Sequence, residues 1–514
     1  MAGTSAWREF PRGIRWRRTW EVHFQWVALR RIHQIVQFAL HQGHAYIVIR
    51  EICPVASREW ANICIVALMC ATIRTVAERR EGWLKADRVP PKEVATRLSR
   101  PLGVILAYPT FAWKGKAMEH STKHHSSRHR YLSGKRILPQ PISEGSDIAS
   151  IIDNMDAYNG GRLRAACQLM RTKYSPDDVT IGLSIAGALT PAGLGPSTII
   201  PLMNHGYVDW MVTTGANMYH DLHFALDMPL FRGSHTVDDA DLRDKGVTRI
   251  YDILFDYQDV LMATDRVLRK IMLQPEFQKE IGTREFYHHL GKVVNALEQK
   301  NNLGEVSVLA AAYRNGIPVF TSSPGDSTIG MNLAGLELLA EAVGLGDHFR
   351  LRINPSIDVH DSTAIILNAK KFEKGKTGVL LIGGGSPKNF LLQTEPQIQE
   401  VLMIPEAGQD YDINITDARP DTGGLSGAPP SEAASWGKID PTKLEETVTA
   451  YIDVTVAFPL LVAYVRQTTK PKRLKRLYDR GDELREKLIR SYLENNKEVE
   501  ELKSIMNKLP TYGS

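Results

Sequence analysis

Cysteine is scarce in this chain. There are four cysteines in 514 residues, and three of them lie within residues 1–117, which leaves Cys167 alone in the rest of the chain. A body with one cysteine cannot hold an internal disulfide framework, and this excludes the class of disulfide-stapled secreted domains. We therefore expect a reducing, cytoplasmic environment.

Long apolar runs are also missing. The longest, from Ala61 to Thr72, is shorter than the roughly 20 residues that a membrane-spanning helix needs. The basic N-terminus has no adjoining apolar stretch with a small-residue cleavage site, so a secretory signal is not expected. A membrane-surface or nucleic-acid role for this Arg- and Trp-rich start is a weak alternative, because no recognisable binding module accompanies it. We predict neither a membrane nor a nucleic acid as partner.

The usual nucleotide and metal signatures are absent as well. No segment matches G-x-G-x-x-G or G-x-x-x-x-G-K-[ST], so the common dinucleotide fingerprint and the P-loop are both missing. His120, His124, His125 and His129 have no accompanying cysteine and no regular spacing. A metal site needs converging ligands on a fixed scaffold. We therefore interpret this segment as a solvated, flexible arm and predict no metal.

Charge divides the chain into unlike parts. Residues 1–117 contain 19 Lys and Arg against 8 Asp and Glu, whereas the remaining residues contain 44 against 50. We interpret residues 1–117 as an N-terminal extension of foreign composition, with Met118 as the natural start. Residues 118–138 are the basic arm. Residues 139–514 are predicted to form the folded body of the chain, with a charged helical region from about residue 470.

The body alternates apolar strands with helices. Strands are predicted at 179–186, 208–212, 317–320 and 379–382, and helices at 147–172, 305–315 and 330–343. Near-continuous apolar strands separated by helices are typical of a parallel sheet that is covered on both faces. The predicted fold is α/β, with a doubly wound, mostly parallel sheet of the Rossmann-like kind flanked by helices.

Each of the four predicted strands ends in a turn rich in Gly, Ser or Thr. The third turn ends at Asp326, and the fourth is Gly383-Gly384-Gly385. Small residues let the backbone approach a phosphate, and the N-terminus of a following helix offers free N–H groups. Four such turns predict a nucleotide site. Asp326 could instead cap a helix, and Asp453 could be an ordinary turn residue.

The candidate reactive group is a lysine that directly follows Trp-Gly. The segment from Ser431 to Ile439 reads S-E-A-A-S-W-G-K-I, with Glu432 six residues before Lys438. A lysine acts covalently when apolar or cationic surroundings lower its pKa and leave a neutral amine. The indole of Trp436 would supply an apolar wall and a cation-binding face. Taken alone, a surface lysine is the commoner interpretation.

Several motifs occur together and in order along the chain. The S-W-G-K-I motif with Glu432, the run from Tyr451 to Val462, the glycines at 383–385 and D-S-T-I-G at 326–330 resemble the deoxyhypusine synthase family, in its bacterial deoxyhypusine synthase-like branch. The resemblance extends from about Ser133 to Arg466. It implies an NAD-binding fold and a homotetramer with active sites between subunits.

The resemblance also implies roles for single residues. In the family, NAD oxidises spermidine and a lysine holds the aminobutyl group as an imine; Lys438 matches that lysine. Glu432 and Trp436 match residues that line the amine site, and Asn389 stands where the eukaryotic enzyme has a histidine. The positions that match contacts to NAD are Thr214, Gly215, Ala216, Asp326, Gly384, Asp417, Ala418 and Asp453.

The chain departs from the eukaryotic pattern around the amine. Met331 and Leu425 stand in place of two aspartates, and His220 in place of the glutamate before Asp221. Fewer carboxylates should weaken the binding of a dication held at both ends, because an unpaired buried ammonium costs several kcal/mol. The substrate is therefore expected to differ from spermidine plus a protein lysine.

The leading hypothesis is an NAD-dependent transferase of alkyl groups (EC 2.5 class). It would move an aminobutyl-type group from a polyamine to an acceptor amine through an imine on Lys438. The acceptor would be a small amine such as putrescine, giving a homospermidine-type product, or a guanidino amine. Two alternatives stay open. One is a true deoxyhypusine synthase that modifies a translation-factor lysine, and the other is a non-catalytic NAD-binding oligomer.

Overall fold

The structure is a computed structural model that describes residues 131–134 and 136–510 of the chain. The predicted extension at 1–117 and most of the basic arm lie outside the described residues. Of the arm, residues 131–134 and 136–138 are described, and their side chains are exposed. In the part of the chain that the structure describes, no helix is long and apolar enough to cross a membrane.

The strands are short and belong to one large and two small sheets. In chain order they are β1 Val179–Ile185, β2 Trp210–Thr213, β3 Phe231–Arg232, β4 Val247–Ile250, β5 Ile253–Asp256, β6 Glu280–Ile281, β7 Val319–Thr321, β8 Arg352–Ile353, β9 Lys376–Ile382, β10 Tyr411–Ile415 and β11 Thr447–Ala450.

The α-helices of the described residues connect these strands and cover the large sheet. In chain order they are α1 Ile148–Asp153, α2 Tyr158–Leu169, α3 Ile200–Asn204, α4 Gly215–Ala225, α5 Asp239–Asp244, α6 Ala263–Met272, α7 Thr283–Asn301, α8 Val308–Asn315, α9 Thr328–Ala342, α10 Pro355–Leu367, α11 Gly385–Leu392, α12 Thr394–Pro396, α13 Pro430–Ser435, α14 Val454–Thr468, α15 Gly481–Asn495 and α16 Val499–Met506.

Six strands form one parallel sheet. Its spatial order is β11-β10-β9-β1-β2-β7, and every neighbouring pair is parallel. The chain moves outward from β1 through β2 to β7. It then returns to the other side of β1 and moves outward again through β9, β10 and β11. The prediction of an α/β protein with a mostly parallel sheet flanked by helices is confirmed.

Apolar side chains on the two faces of this sheet form two separate clusters. Successive side chains of a strand point to opposite faces, so Leu380 and Ile382 of β9 join one cluster while Val379 and Leu381 join the other. The first cluster includes residues of α2, α4, α8 and α14, and the second includes residues of α10, α11 and α15. Helices therefore cover both faces, which explains why these strands are apolar on both sides.

The helix predicted over residues 147–172 is wrong as a single helix. α1 ends at Asp153 and α2 begins at Tyr158, with residues 154–157 between them. Asp147 caps α1, since its Oδ1 accepts a hydrogen bond from the Ser150 N–H at 2.7 Å. Ile152 before the break and Leu163 after it reach the same core cluster. The apolar periodicity therefore continues across the break and conceals it.

β10 and all of the small sheets were not predicted, and β11 was indicated only as a strand-like segment before Asp453, without bounds. β10 reads Y-D-I-N-I, and its Asp412 and Asn414 are buried although they are polar. β11 is only four residues long. The three-stranded antiparallel sheet β3-β5-β4 and the pair β6-β8 were also missed. Most of these strands lack the near-continuous apolar run on which the prediction depended, and β5, which reads I-L-F-D, has a run of only three apolar residues.

The charged C-terminal region folds against the body as helices. Leu477, Leu484 and Leu488 belong to the second core cluster, next to residues of α10. The Nζ of Lys487 on α15 donates a hydrogen bond to Asn368 Oδ1 at 3.0 Å. The last helix, α16, has no buried residue. The helical region predicted from about residue 470 therefore packs on the body only as far as α15.

Candidate active site around Lys438

Lys438 directly follows the end of the short helix α13. Trp436 is the C-terminal cap, and Gly437 has a φ of +68°. The Lys438 N–H donates to the Ala433 carbonyl at 3.0 Å and the Gly437 N–H to the Ala434 carbonyl at 3.1 Å. These two bonds form the Schellman pattern of helix termination, in which glycine supplies the left-handed residue. The Trp-Gly-Lys motif is thus a helix end that fixes the backbone of the lysine.

Lys438 lines a cavity of about 290 Å³, which we call the lysine cavity. Glu432, Trp436 and Asn389 line it too, so the four residues predicted from the sequence to handle the amine meet in one place. Leu425 also lines it. Of the substituted positions, Met331 is elsewhere in the fold: it lies on α9 and is 67% exposed.

The amine of Lys438 has one polar and one aromatic neighbour. Its Nζ donates a hydrogen bond to Asn389 Oδ1 at 3.0 Å and lies 5.6 Å from the centroid of the Trp436 ring. Burial lowers the pKa of Lys438, and the Glu432 carboxylate partly opposes that effect. A lysine with a lowered pKa carries more neutral amine near neutral pH, which is the form that attacks a carbonyl or imine carbon.

A second lysine, Lys388, lines the same cavity and was not predicted. It is 5% exposed, and its Nζ donates a hydrogen bond to the Ala428 carbonyl at 2.8 Å. Burial lowers its pKa, the charge of Lys438 acts in the same direction, and Asp412 opposes both. No spacing rule indicates such a residue, because its importance comes from its position beside Lys438 in the fold.

A second cavity of about 400 Å³ adjoins the first, and Asn389 and Gln393 line both. The Gln393 N–H donates to the Asn389 carbonyl at 2.8 Å and the Gln397 N–H to the Gln393 carbonyl at 3.0 Å, so the helical path continues beyond α11. Asn389, Gln393, Gln397 and Glu400 therefore follow one side of it. At 1.5 Å per residue this polar stripe is roughly 16 Å long.

The second cavity is lined by neutral polar groups and one carboxylate. The hydroxyl groups of Thr363 and Thr394 donate hydrogen bonds to main-chain carbonyls at 2.7 Å and 2.8 Å. Their oxygen atoms can therefore still accept hydrogen bonds from other groups. Glu400 adds a carboxylate, and no lysine or arginine is among the lining residues of the second cavity. Such a lining suits the N–H groups of an amine or guanidinium.

The triple-glycine turn after β9 contacts the connection between β10 and α13. Gly384 is buried with a φ of +130°, and a Cβ there would lie 2.5 Å from Ser426 Cα. The Gly385 N–H donates to Ser426 Oγ at 2.9 Å. Ser386 Oγ in turn donates to Ser322 Oγ at 2.9 Å, which joins this turn to the one after β7. A side chain at Gly384 would not fit.

The residues predicted to contact NAD after β2 and β7 also come together. Thr214 caps α4, with its Oγ1 accepting from the Asn217 N–H at 3.3 Å, and Gly215 and Ala216 form the first turn of that helix. A Cβ on Gly215 would overlap the Ser327 hydroxyl. Asp326 is exposed and ends a short 3-10 turn, and the residue that precedes α9 is Ser327, so Asp326 is not its N-cap.

The remaining predicted cofactor residues follow β10 and β11. Asp417 is exposed, and the Ala418 N–H donates to Thr416 Oγ1 at 3.2 Å. Asp453 caps α14 by accepting from the Thr455 N–H at 2.8 Å. Neighbouring parallel strands lie about 4.8 Å apart, so the predicted cofactor residues extend along one edge of the sheet from β11 to β7. This extent suits an elongated ligand.

Asp221 and His220 have other surroundings. The Asp221 carboxylate accepts hydrogen bonds from the Ser307 hydroxyl at 2.6 Å and from the Val308 N–H at 2.8 Å, and it thereby holds the start of α8. His220 Nδ1 lies 3.1 Å from His223 Nε2, and burial lowers the pKa of His220 to about 4. Among residues 131–134 and 136–510, no group of three or more His, Cys, Asp or Glu could hold a metal ion.

The fold and the site define an α/β protein with a six-stranded parallel sheet, small-residue turns at the carboxyl edge of that sheet and a lysine-centred cavity beside α11. A family model described as deoxyhypusine synthase matches residues 147–465. The chain belongs to the deoxyhypusine synthase family.

Relatives in bacteria and archaea share most of this region. The chain is 50% identical over 361 residues to the deoxyhypusine synthase-like protein of Nostoc sp. strain PCC 7120, which covers 70% of this chain and 92% of the relative. It is 49% identical to the protein of that name in Thermosynechococcus vestitus, over 73% of this chain and 91% of the relative. It is 32% identical to a probable deoxyhypusine synthase 2 of Methanosarcina acetivorans, over 66% of this chain and 92% of the relative.

Solved structures are also similar to this chain. One of them is a crystal structure of a putative deoxyhypusine synthase from Entamoeba histolytica, with a TM-score of 0.41 and 14% sequence identity. The similarity covers 65% of this chain and 98% of that chain.

Proposed function

We propose that the protein is an NAD-dependent transferase that moves an aminobutyl-type group from a polyamine to a small acceptor amine through an imine on Lys438. The observation that carries this proposal is the half-buried amine of Lys438 in a cavity with Glu432, Trp436 and Asn389. Family membership supports aminobutyl transfer in general. The cavity adds a nucleophile whose pKa is lowered and a carboxylate that can face an ammonium.

The sheet supports NAD as the cofactor. Counted along the chain, its six strands lie in the order 3-2-1-4-5-6, which is the order of the doubly wound dinucleotide-binding fold. Ligands of that fold lie outside the carboxyl ends of the strands, where α4 begins at Gly215 and α11 at Gly385, and the N-terminus of a helix is the positive end of its dipole. Thr214, Ala216, Asp326, Gly384, Asp417, Ala418 and Asp453 would hold the cofactor along that edge. NAD, when bound, supplies the means to remove a hydride from the donor amine and to return it.

The residues of the chain would carry out the transfer between these two hydride steps. Neutral Lys438 Nζ adds to the imine carbon of the oxidised donor, the C–N bond to the departing diamine breaks, and an imine to Lys438 remains. The acceptor amine then adds to that carbon and the bond to Lys438 breaks, which restores the free lysine. Asn389 orients Nζ, Glu432 pairs with an ammonium, and Trp436 forms an apolar wall that helps to exclude water.

The second cavity supports a small, extended amine as the substrate. The stripe from Asn389 to Glu400 presents amide and carboxylate oxygens along roughly 16 Å, so one end of an amine chain can lie at Lys438 while its distal N–H groups face these acceptors. With Leu425 in the lysine cavity, a second carboxylate next to Glu432 is missing there. A putrescine acceptor with a homospermidine-type product, or a guanidino amine, fits this distribution of charge.

The test is a product analysis with the purified full chain. The protein is incubated with NAD and a panel of labelled polyamines, diamines and guanidino amines, and the products are identified by mass spectrometry after borohydride treatment. Transfer to a small amine and a reduced adduct on Lys438 are expected. A labelled protein of translation-factor size in cell extract would instead favour a true deoxyhypusine synthase. NAD binding without NADH formation across the panel would favour the non-catalytic oligomer.

Lys388 is expected to keep Lys438 reactive at neutral pH. The charge of Lys438 lowers the pKa of Lys388, and because the repulsion between two ammonium groups is mutual, a charged Lys388 disfavours protonation of Lys438 in turn. In Lys388→Met the pKa of Lys438 should rise, and the pH at which adduct formation reaches half its maximum should rise with it. The measurement is the rate of borohydride-trapped adduct between pH 6 and 10. Lys388→Arg, which keeps the charge, is the control. An unshifted profile in Lys388→Met would remove this role.

An exposed apolar face on α9 supports the formation of a homo-oligomer. We propose that this oligomer is the homotetramer that the family resemblance implies. α9 is a helix of 15 residues, and the side chains of its Met331, Leu338 and Leu339 are 67%, 68% and 56% exposed. Apolar side chains clustered on one helix face usually mark a contact with another protein surface. A second copy of the chain is the simplest occupant.

Leu338→Asp is expected to dissociate the oligomer, because it places a charge in the middle of the contact. Sedimentation velocity should then show a smaller species at micromolar concentration. Leu493→Asp, which changes a leucine of similar exposure on α15, is the control and should leave the sedimentation coefficient unchanged. An unchanged assembly in Leu338→Asp would rule out α9 as the contact.

The location of the protein and its natural start are proposals as well. A cytoplasmic location rests on the scarcity of cysteine, and a start at Met118 rests on the difference in charge between residues 1–117 and the rest of the chain. To test the two proposals, the chain would be expressed from Met1 and from Met118, and the cells would then be fractionated to locate each product.

A further inference from the structure

A buried group of charged side chains lies behind the Lys438 turn. Glu395 on α12 is fully buried, and neither of its carboxyl oxygens has a hydrogen-bond partner. Lys370, Glu406 and Asp410 face it, and Lys370 Nζ lies 2.7 Å from Glu406 Oε1. This group is separate from the lysine cavity, since none of its members lines that cavity. No residue of the group was singled out from the sequence.

One residue, Gln399, connects this group to the turn that carries Lys438. The Gln399 side chain lies beside the Glu395 carboxyl, and its Nε2 donates a hydrogen bond to the Gly437 carbonyl at 2.8 Å. That carbonyl belongs to the peptide bond that joins Gly437 to Lys438. A Cβ on Gly437 would overlap the amide oxygen of Gln399, so the two residues are in close contact.

The other side of the lysine is fixed by main-chain bonds. The Gln409 N–H donates to the Lys438 carbonyl at 3.0 Å, and the Asp440 N–H donates to the Gln409 carbonyl at 3.1 Å. Gly408 has a φ of +104°, and a Cβ there would lie 2.6 Å from the carbonyl carbon of Ile439. Lys370, which pairs with Glu406, also donates to the Gly408 carbonyl. Both peptide bonds of Lys438 are therefore held by the segment from 395 to 410.

We infer that Gln399 is a positioning residue for Lys438 and that Glu395, in its protonated form, keeps the Gln399 amide directed at the Gly437 carbonyl. This inference rests on the proposed function, because it concerns the same lysine. A neutral carboxyl competes only weakly for the amide N–H, so the bond to the carbonyl persists. An ionised carboxylate is a stronger acceptor and would draw the amide away. Burial raises the pKa of Glu395 to about 8, with Glu406 and Asp410 acting in the same direction and with Lys370 and the neighbouring Gln399 amide opposing.

The first test removes the hydrogen bond while keeping the volume. In Gln399→Met, labelling of Lys438 by a small aldehyde with cyanoborohydride should slow by about 10-fold, because an amine displaced from its half-buried surroundings has a higher pKa and is neutral less often, and one pKa unit is a factor of ten. The turnover number for the amine transfer should fall by a similar factor while KM for the amine stays within about twofold. Peptide mass spectrometry identifies Lys438 as the labelled residue. The aldehyde assay needs no amine substrate, so it distinguishes failure of this inference from failure of the proposed function.

The control is Gln278→Met. Gln278 Nε2 also donates to a main-chain carbonyl, that of Met272 at 2.7 Å, but it lies far from Lys438 along the chain and lines neither cavity. In Gln278→Met, the labelling rate of Lys438 and the turnover number should match those of the unaltered protein. Equal labelling rates in Gln399→Met and the unaltered protein would overturn the inference, and so would a loss confined to thermal stability.

The second test concerns the protonation of Glu395. The labelling rate of the unaltered protein should rise with pH as Lys438 loses its proton and should fall above about pH 8, when Glu395 ionises. In Glu395→Gln, which resembles the protonated acid, the fall should disappear while the rate at pH 7 stays the same. A fall of equal size in both proteins would show that Glu395 does not control the amide. If Glu395 had only a structural role, Glu395→Gln would not change the dependence of the labelling rate on pH.

Discussion

Lys438→Ala and Lys438→Arg are expected to abolish amine transfer. Alanine removes the nucleophile. Arginine keeps the positive charge and much of the length, but it stays protonated and cannot form the imine. Loss of a nucleophile typically costs on the order of 10⁴-fold or more in turnover. The measurement is product formation from labelled spermidine with NAD, together with borohydride trapping, which should give no adduct on the peptide that contains residue 438.

A matched lysine provides the control for this prediction. Lys443 lies five residues further along the same connection and lines neither cavity. Lys443→Arg should keep turnover and the adduct on Lys438. Undiminished transfer in either Lys438 variant would show that the reaction proceeds without this amine, and the imine mechanism would have to be abandoned.

Gly384→Ala is expected to give the second large effect, on the binding of NAD. Gly384 has a φ of +130°, which side chains rarely adopt, and a Cβ there would lie 2.5 Å from Ser426 Cα. The turn must therefore move, at a cost of about 1–3 kcal/mol in strain. Because 1.4 kcal/mol is a factor of ten, we expect the affinity for NAD to fall by roughly 10- to 100-fold. Titration calorimetry with NAD measures this change.

The neighbouring glycine offers a close comparison. Gly385 has a φ of +60°, and a Cβ there would meet nothing within 4 Å. Gly385→Ala should therefore cost only the 1–2 kcal/mol that a non-glycine residue incurs in the left-handed region, and its thermal midpoint should fall less than that of Gly384→Ala. If Gly384→Ala bound NAD as tightly as the unaltered protein, the triple-glycine turn would not belong to the cofactor site.

The parts of the fold that were predicted are those in which local pattern and tertiary environment agree. β1 and β9 are apolar throughout because helices cover both faces of the sheet, and a continuous apolar run between turns indicates such a strand. β10 is also covered by helices on both faces, but it directs Asp412 and Asn414 toward the face that α11 covers. Its pattern resembles a half-exposed strand, so the sequence alone did not reveal a central position.

The candidate site shows the same division. Glu432, Trp436 and Lys438 are close in sequence, and a short helix with a Schellman end holds them together, so a local motif was enough to find them. Lys388 and Asn389 reach the same cavity from α11, almost 50 residues earlier in the chain. Asn389 was predicted only because of the family resemblance. Lys388 and Gln399 follow no pattern, and their contacts with the lysine turn arise from the packing of separate segments.

The sequence by itself determined the α/β class, the glycine-rich turns and the lysine after Trp-Gly, because each of these depends on residues that are neighbours in the chain. Only the tertiary structure decided what surrounds that lysine. It brought Lys388 and Asn389 of α11 into the lysine cavity, and it put the buried Glu395 and Gln399 behind the turn. The pKa and the orientation of an amine depend on groups within a few ångströms in space. Those distances follow from how the sheet and its helices pack together.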